Sequence, residues 1–318
     1  MLQHDFPFDP TYGYDEAALR QVGAPPGPPD LADFWRDLNA RTRAIAPRAT
    51  VRELTDDGRS DVITHEIDYD SLDGFRVGGW LTVPKRGEPQ YGVVVGHGYG
   101  GREAPDYGPM FEHAVAIFPC ARGFNRSARP DLPNTAAWHV LHGIESRHDY
   151  SHGKCAADLW AGINVLQEMF PATGPVHYVG SSFGGGIGAM ALPWDDRFGR
   201  AFLEVPSFGN HPLRLTLPCN GSGEAVRTYH RRHPAVLDVL QYFDAATIAR
   251  HARVPTLVAA ALFDPAVPPP GQFAVYNALA GPKQLFVRTA GHVPYPQEAA
   301  ELEAVSRQVV AWFGDEVG

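Results

Sequence analysis

Six short apolar segments constrain the fold more than any other feature of this 318-residue chain. They do not alternate polar with apolar positions, which is typical of strands buried on both faces of a parallel sheet. Helical stretches such as 154–170 and 270–281 lie between them. The sequence therefore predicts an α/β fold with a mostly parallel sheet flanked by helices. The apolar segments are YGVVVG (91–96), HAVAIFPC (113–120), GPVHYVG (174–180), RAFLEV (200–205), VPTLVAAALF (254–263) and KQLFVRT (283–289).

The remaining segments fit a single domain, 1–318, with additions at its edges. Residues 1–60 are predicted to form an N-terminal arm, rich in proline and aromatic residues, followed by a helix over 31–46. Asp30 stands where the N-cap of that helix is expected. Residues 206–245 interrupt the strand–helix rhythm and are predicted to form a small cap inserted over the sheet edge.

Net charge, apolar content and cysteine count indicate which partners and which location to expect. A formal net charge of −9 argues against nucleic acid or an anionic membrane surface as a partner. No apolar stretch approaches the length of a membrane span, and the first residues show no basic and apolar regions of a signal peptide. Three cysteines are too few for a disulfide framework in a chain of this length. We therefore expect a cytoplasmic protein.

The segment GSSFGGG places one serine in a catalytic motif. Ser182 has Gly180 two positions before it and Gly184 two positions after it, which is the G-x-S-x-G spacing. In this motif a sharp strand-to-helix turn presents a serine hydroxyl above the end of a sheet. Glycine is needed because neighbouring backbone passes too close for a β-carbon. Ser182 is the predicted nucleophile, and a glycine-rich loop with an incidental serine is the alternative.

A serine nucleophile needs a base, and the base needs a third group that fixes its tautomer. These partners follow the serine in the order acid, then histidine, each beyond a strand end. Asp264 follows the apolar segment 254–263, and His292 follows 283–289. Both therefore stand in the expected order and at carboxyl ends of predicted strands. We predict a catalytic triad of Ser182, Asp264 and His292, although a capping aspartate and a loop histidine would give the same pattern.

The negative charge that develops during acyl transfer requires hydrogen-bond donors. One is expected from the backbone N–H of Phe183, directly after the nucleophile. The second is expected from the backbone N–H of Tyr99, in the loop GHGYGG that follows the strand 91–96. His97, at the end of that strand, is predicted to be structural. Two aromatic residues beside the serine also predict a narrow acyl pocket.

Cofactor chemistry finds little support in the sequence. No G-x-G-x-x-G follows the first strand-like segment, VITHEIDYDS (62–71), and G-x-x-x-x-G-K-[ST] does not occur, so the glycine-rich loops do not indicate phosphate binding. The segment HRRHP (230–234) combines its histidines with arginines, which oppose cation binding, and neither H-E-x-x-H nor C-x-x-C occurs. We expect neither a cofactor nor a metal.

Motifs along most of the chain resemble those of the acetyl xylan esterase/cephalosporin C deacetylase family, carbohydrate esterase family seven, within the α/β-hydrolases. The resemblance implies an α/β-hydrolase fold and the removal of acetyl groups from small sugars and related esters, without a cofactor and often in ring-shaped hexamers. It assigns the same triad and the same two oxyanion donors. The similar segments are DLADFWRDL (30–38), GFRVGGWLTVPK (74–85), GHGYGG (96–101), ARGFNRS (121–127), GSSFGGG (180–186), FDPAVPPP (263–270) and AGHV (290–293).

Three departures from the family pattern concern the substrate. Phe183 replaces the family's glutamine, Phe124-Asn125 replaces Gln-Gly in the arginine loop, and Val293 replaces a glutamate. Because the backbone supplies the oxyanion donor, these changes leave the hydrolytic chemistry in place but alter the pocket. By the same resemblance, Arg122 is expected to support the serine turn.

The leading interpretation is a serine carboxylesterase that acts on a small-molecule ester and forms a homo-oligomer. A peptidase of the prolyl-oligopeptidase type has similar loops, but no β-propeller precedes this domain. A catalytically inactive hydrolase fold used for binding is the third interpretation, and the filled triad positions argue against it.

Overall fold

A nine-stranded sheet lies at the centre of the computed structural model, which describes residues 2–53 and 61–314. The order across the sheet is β1-β2-β3-β5-β4-β6-β7-β8-β9. The strands from β4 to β9 are mutually parallel, whereas β1, β2 and β3 pair in antiparallel fashion. The predicted α/β fold with a mostly parallel sheet is therefore confirmed. The strands are β1 (Thr50–Glu53), β2 (Val62–Asp70), β3 (Arg76–Pro84), β4 (Tyr91–Gly96), β5 (Ala114–Pro119), β6 (Val176–Ser181), β7 (Phe198–Glu204), β8 (Thr256–Ala261) and β9 (Lys283–Arg288).

Helices cover both faces of the sheet. Strands β4 and β5 are buried on both sides: Val94 and Ile117 belong to one core cluster, while Val93 and Ala116 belong to another on the opposite face. This explains why their sequences show no polar alternation. The helices are α1 (Glu16–Leu19), α2 (Leu31–Arg43), α3 (Ala136–His139), α4 (Ser151–Met169), α5 (Phe183–Ala191), α6 (His211–Arg214), α7 (Ser222–Arg232), α8 (Leu237–Leu240), α9 (Ala245–Ala249), α10 (Pro269–Ala278) and α11 (Glu298–Gly314).

The larger core lies on the face covered by α2, α4, α5, α9 and α10. On the other face, α11 packs Val305 and Val309 against Phe202 of β7 and Leu257 of β8. No helix among the described residues is both long and apolar enough to cross a membrane.

Strand register brings the two glycine-rich loops together. Gly96, the last residue of β4, pairs with Gly180 of β6. Because β5 and β6 lie on opposite sides of β4, the chain changes direction across the sheet at this point, and such switch points form crevices at the strand ends. The loop that follows β4 and the turn that contains Ser182 therefore start side by side.

The N-terminal arm packs against its own chain. The N–H of Asp264 donates to Pro10 O at 3.1 Å, and the Tyr12 hydroxyl donates to Pro218 O at 2.8 Å. The ring of Phe6 lies 6.5 Å from that of Phe263, directly before Asp264. Residues 54–60, at the end of the predicted N-terminal segment, lie outside the described residues.

Asp30 stands at the N-cap position of α2, but its side chain does not cap the helix. Its carboxylate instead accepts hydrogen bonds from Arg147, at 2.7 Å, and from the Tyr242 hydroxyl, at 2.5 Å. The prediction that Asp30 caps α2 is therefore wrong, because two stronger donors from distant segments compete for its carboxylate.

The segment predicted as a cap, 206–245, lies between β7 and β8. It is described in full, and it contains α6, α7 and α8 but no strand. Its Phe208, Val226, Leu240 and Phe243 belong to the larger core cluster. The segment therefore shares the main core, and its role as a cap stays a prediction.

Candidate active site

Ser182 lies at the sharp turn between β6 and α5. Its φ of 54° and ψ of −112° are unusual for a serine, so the turn is strained. The flanking glycines allow close packing. A Cβ atom on Gly184 would lie 2.6 Å from the carbonyl carbon of Gly96, and one on Gly180 would lie 2.7 Å from that of Gly184. Glycine is therefore required at both positions to keep this turn against the end of β4.

The three predicted triad residues meet at the carboxyl ends of β6, β8 and β9. His292 Nε2 lies 2.9 Å from Ser182 Oγ, and His292 Nδ1 lies 2.7 Å from Asp264 Oδ2. Both distances are those of hydrogen bonds. Because a carboxylate only accepts, Nδ1 carries the ring proton and Nε2 presents a lone pair to the serine hydroxyl. This is the tautomer that a general base requires.

Asp264 is fully buried, and its carboxylate is held by four donors. Oδ1 accepts the backbone N–H groups of Ala266 and Val267, each at 2.9 Å. Oδ2 accepts Nε2 of Gln272 at 2.9 Å in addition to His292. These four hydrogen bonds offset the free-energy cost of burying the carboxylate charge. Sequence reasoning missed Gln272, whose only signal is its place eight residues after the acid, on the inner face of α10.

The electrostatic environment of His292 favours its protonated form. Burial lowers the pKa of His292, but the hydrogen bond and the negative charge of Asp264 outweigh burial, and the pKa is raised above its ordinary value of 6.5. The side chain remains 27% exposed, so solvent and substrate can reach it. A base with a raised pKa accepts the serine proton more readily during attack.

The two backbone N–H groups predicted as oxyanion donors belong to Tyr99 and Phe183. Neither N–H has an acceptor among the residues that the structure describes. His97 holds the loop between them in place: its Nδ1–H donates to Gly98 O at 2.6 Å, and its Nε2 accepts the Ala121 N–H at 2.8 Å. Burial lowers the pKa of His97 to about 4, so the ring is neutral as this pairing requires. These contacts support the predicted structural role of His97.

The ring of Phe183 packs inward, beneath the oxyanion loop. It stacks on Tyr99 with ring centroids 4.2 Å apart and is only 2% exposed. The Tyr99 hydroxyl in turn lies 3.3 Å from His139 Nδ1 and 3.4 Å from His152 Nε2. Phe183 therefore shapes the site mainly through its stacking on Tyr99, and the narrow acyl pocket stays a prediction.

Arg122 forms a buried ion pair with Asp158. Its guanidinium forms two hydrogen bonds with the carboxylate of Asp158 on α4, at 2.8 and 2.9 Å, and a third with Leu72 O at 3.0 Å. It also lies 4.4 Å from the centroid of the Phe75 ring. Its hydrogen bonds thus join α4 to the turn between β2 and β3, and its support of the serine turn stays a prediction.

Comparison with solved structures shows a shared fold. An acetyl xylan esterase from Paenibacillus sp. R4 superimposes with a TM-score of 0.79 at 23% identity, over 93% of this chain and 99% of that one. Acetyl xylan esterase 1 from Thermoanaerobacterium sp. JW/SL YS485 gives 0.77 at 19% identity, over 94% and 98%. A Pyrococcus horikoshii acylaminoacyl peptidase gives 0.62 at 13% identity, over 81% of this chain but 42% of that one.

The sequence itself matches a family model. The acetyl xylan esterase (AXE1) family model covers residues 16–308 and so includes the serine turn, Asp264 and His292. The match extends over most of the chain, and the predicted family resemblance is confirmed. The chain belongs to the acetyl xylan esterase family.

Proposed function

We propose that this protein is a serine carboxylesterase that removes acetyl groups from acetylated sugars or related small esters. The observation that carries this proposal is the unbroken hydrogen-bond chain from Asp264 through His292 to Ser182. Family membership supports acetyl esters as the substrate class.

The reaction follows from the geometry. Ser182 Oγ attacks the ester carbonyl while His292 Nε2 takes its proton, and Asp264 stabilises the imidazolium that results. The N–H groups of Tyr99 and Phe183 donate to the oxyanion. His292 then protonates the departing alcohol, which leaves an acetyl group on Ser182. Water, activated by the same histidine, releases acetate. No step calls for a cofactor or a metal.

The peptidase interpretation has weaker support. The acylaminoacyl peptidase neighbour shares 13% identity, and less than half of its length is covered. The interpretation as an inactive binding protein conflicts with competent side chains held at hydrogen-bond distances.

A substrate series tests the proposal. We expect kcat/KM to fall from p-nitrophenyl acetate to the butyrate and to be near zero for the octanoate, with no cleavage of alanine p-nitroanilide. Each added methylene gains about 0.8 kcal/mol from burial, whereas overpacking against Tyr99, whose ring stacks on the buried Phe183, costs roughly 1–3 kcal/mol. Activity that rises with acyl length, or cleavage of the anilide alone, would contradict the proposal.

Two further properties belong to the proposal. Cys120, Cys155 and Cys219 are buried and unpaired, which suits a reducing compartment and supports a cytoplasmic location. The family resemblance supports a homo-oligomer, with a hexamer as the specific expectation.

A further inference from the structure

Arg214, the last residue of α6, is a buried cation without a counter-charge. The residue is 5% exposed, and its Nε atom has no hydrogen-bond partner among the residues that the structure describes. No carboxylate in the described part of the chain forms an ion pair with the guanidinium, which lies 5.4 Å from the centroid of the Phe208 ring. A buried charge without a partner is costly, so such an arginine indicates an anionic ligand.

The acidic residues of the neighbouring segments are already engaged. Glu224 on α7 pairs with Arg227 through two contacts of 2.8 Å. Asp244 accepts the backbone N–H groups of His211 and Thr247, and Asp264 is held by the candidate triad. Each of these carboxylates therefore has other partners, and none of the described residues forms an ion pair with Arg214.

The surrounding backbone leaves room for the guanidinium. Gly223 lies directly against it, because a Cβ atom at this position would be 2.6 Å from Nη2. The sulfur of Cys219 borders the same space, 3.0 Å from that Cβ position. Any larger residue at Gly223 would push the guanidinium aside, so the local sequence suits an extended arginine.

A short chain of contacts links this cation to the nucleophile. The N–H of Ser207 donates to Ser182 O at 3.1 Å, and the next residue is Phe208, over whose ring Arg214 lies. The same ring is 6.1 Å from that of Phe183.

The field of Arg214 also reaches the oxyanion loop. Burial raises the pKa of the Tyr99 hydroxyl well above its ordinary value, and the positive charge of Arg214 opposes that rise. In addition, His152, which contacts both Tyr99 and Phe208, has a buried Nδ1 atom without a partner. Two polar atoms without a partner among the described residues, Arg214 Nε and His152 Nδ1, thus belong to side chains that both lie beside the ring of Phe208.

We propose that Arg214 binds a carboxylate on the alcohol part of the ester, so that the preferred substrates are acetyl esters of hydroxy carboxylic acids. The inference rests on the proposed function: an acetyl group is neutral, so the negative charge must belong to the alcohol. The planar guanidinium matches a carboxylate through two parallel hydrogen bonds.

A matched pair of substrates tests this inference. The two compounds are 4-acetoxybenzoate and 4-acetoxybenzamide, which differ only in the charge of one group. We expect kcat/KM of the wild type to be at least about 30-fold higher for the benzoate, as is typical of a buried charged pair. In Arg214→Met this preference should disappear. In Arg231→Met, which removes an exposed arginine of α7, it should remain.

Three outcomes overturn the inference: equal rates for both compounds in the wild type, a preference that persists in Arg214→Met, or a preference that Arg231→Met abolishes equally. If Arg214→Met does not fold, inhibition of the wild type decides, because 4-hydroxybenzoate should inhibit about 30-fold more strongly than 4-hydroxybenzamide. Equal inhibition contradicts the role of Arg214. Failure of the wild type to hydrolyse any acetyl ester, p-nitrophenyl acetate included, would instead contradict the proposed function.

Discussion

Asp264 determines what His292 can do. Its buried carboxylate fixes the imidazole proton on Nδ1, and its charge raises the pKa of the imidazole against the opposing effect of burial. Gln272 and two backbone N–H groups hold the carboxylate in turn. His292, the proposed base, therefore depends on hydrogen bonds to Asp264 from groups that do not themselves contact the reacting atoms.

Replacing Asp264 by asparagine should lower kcat/KM for p-nitrophenyl acetate by about 10³–10⁴-fold, because an amide no longer enforces the required tautomer. The pH profile should also change. Only neutral His292 acts as a base, so wild-type activity should be lost as the pH falls through its raised pKa. Without the carboxylate the pKa falls, and this acidic limb should move to lower pH.

The exposed Asp238 provides the control, since Asp238→Asn removes the same charge elsewhere and should leave the profile unchanged. Near wild-type activity in Asp264→Asn would show that a different carboxylate orients the histidine.

At the scale of elements, one buried ion pair joins α4 to the edge of the sheet. Arg122 and Asp158 are 6% and 2% exposed, and the guanidinium also donates to Leu72 O between β2 and β3. Removing one partner of a buried pair leaves an uncompensated charge, which costs far more than the pair contributes over apolar residues.

We therefore expect Asp158→Ala to lower the free energy of unfolding by about 3–5 kcal/mol, measured by urea titration. The exposed pair Arg307–Glu303 on α11 is the comparison, and Glu303→Ala should change stability by less than about 1 kcal/mol. Equal effects of the two substitutions would contradict the structural role assigned to Arg122.

The sequence predicts β4 to β9 because strands buried on both faces are continuous apolar runs. Strand β1 is polar and lies at the sheet edge, so its pairing with β2 leaves no such pattern. Helices α6, α8 and α9 have only four or five residues and depend on tertiary packing. Propensity alone does not predict helices of this length.

The residues of the candidate site likewise fall into those that the sequence predicts and those that it does not. Ser182, Asp264 and His292 can be predicted because carboxyl ends of parallel strands meet at one edge. The contacts of Asp30 depend on residues distant in sequence, and so does the lack of an ion-pair partner for Arg214 among the described residues. No local sequence pattern reveals either feature.

At the scale of the whole molecule, the N-terminal arm packs against its own chain. Pro10 and Tyr12 bond to residues beside the candidate site and in the segment 206–245, which suits a single domain. The described part of the arm thus gives no independent support to an oligomer, and that expectation rests on the family resemblance.

Light scattering tests the assembly. We expect a mass about six times the 34.7 kDa of one chain at micromolar concentration. A mass equal to one chain would contradict the hexamer while leaving the chemistry of the site unaffected.

The central claim is that Ser182 forms the acyl-enzyme. Its most direct test is to label the protein with a fluorophosphonate, map the adduct by mass spectrometry, and assay Ser182→Ala beside Ser181→Ala. We predict an adduct on Ser182 alone, loss of acetyl-ester hydrolysis by more than about 10³-fold in Ser182→Ala, and substantial activity in Ser181→Ala. An adduct on another residue, or full activity in Ser182→Ala, would contradict the account.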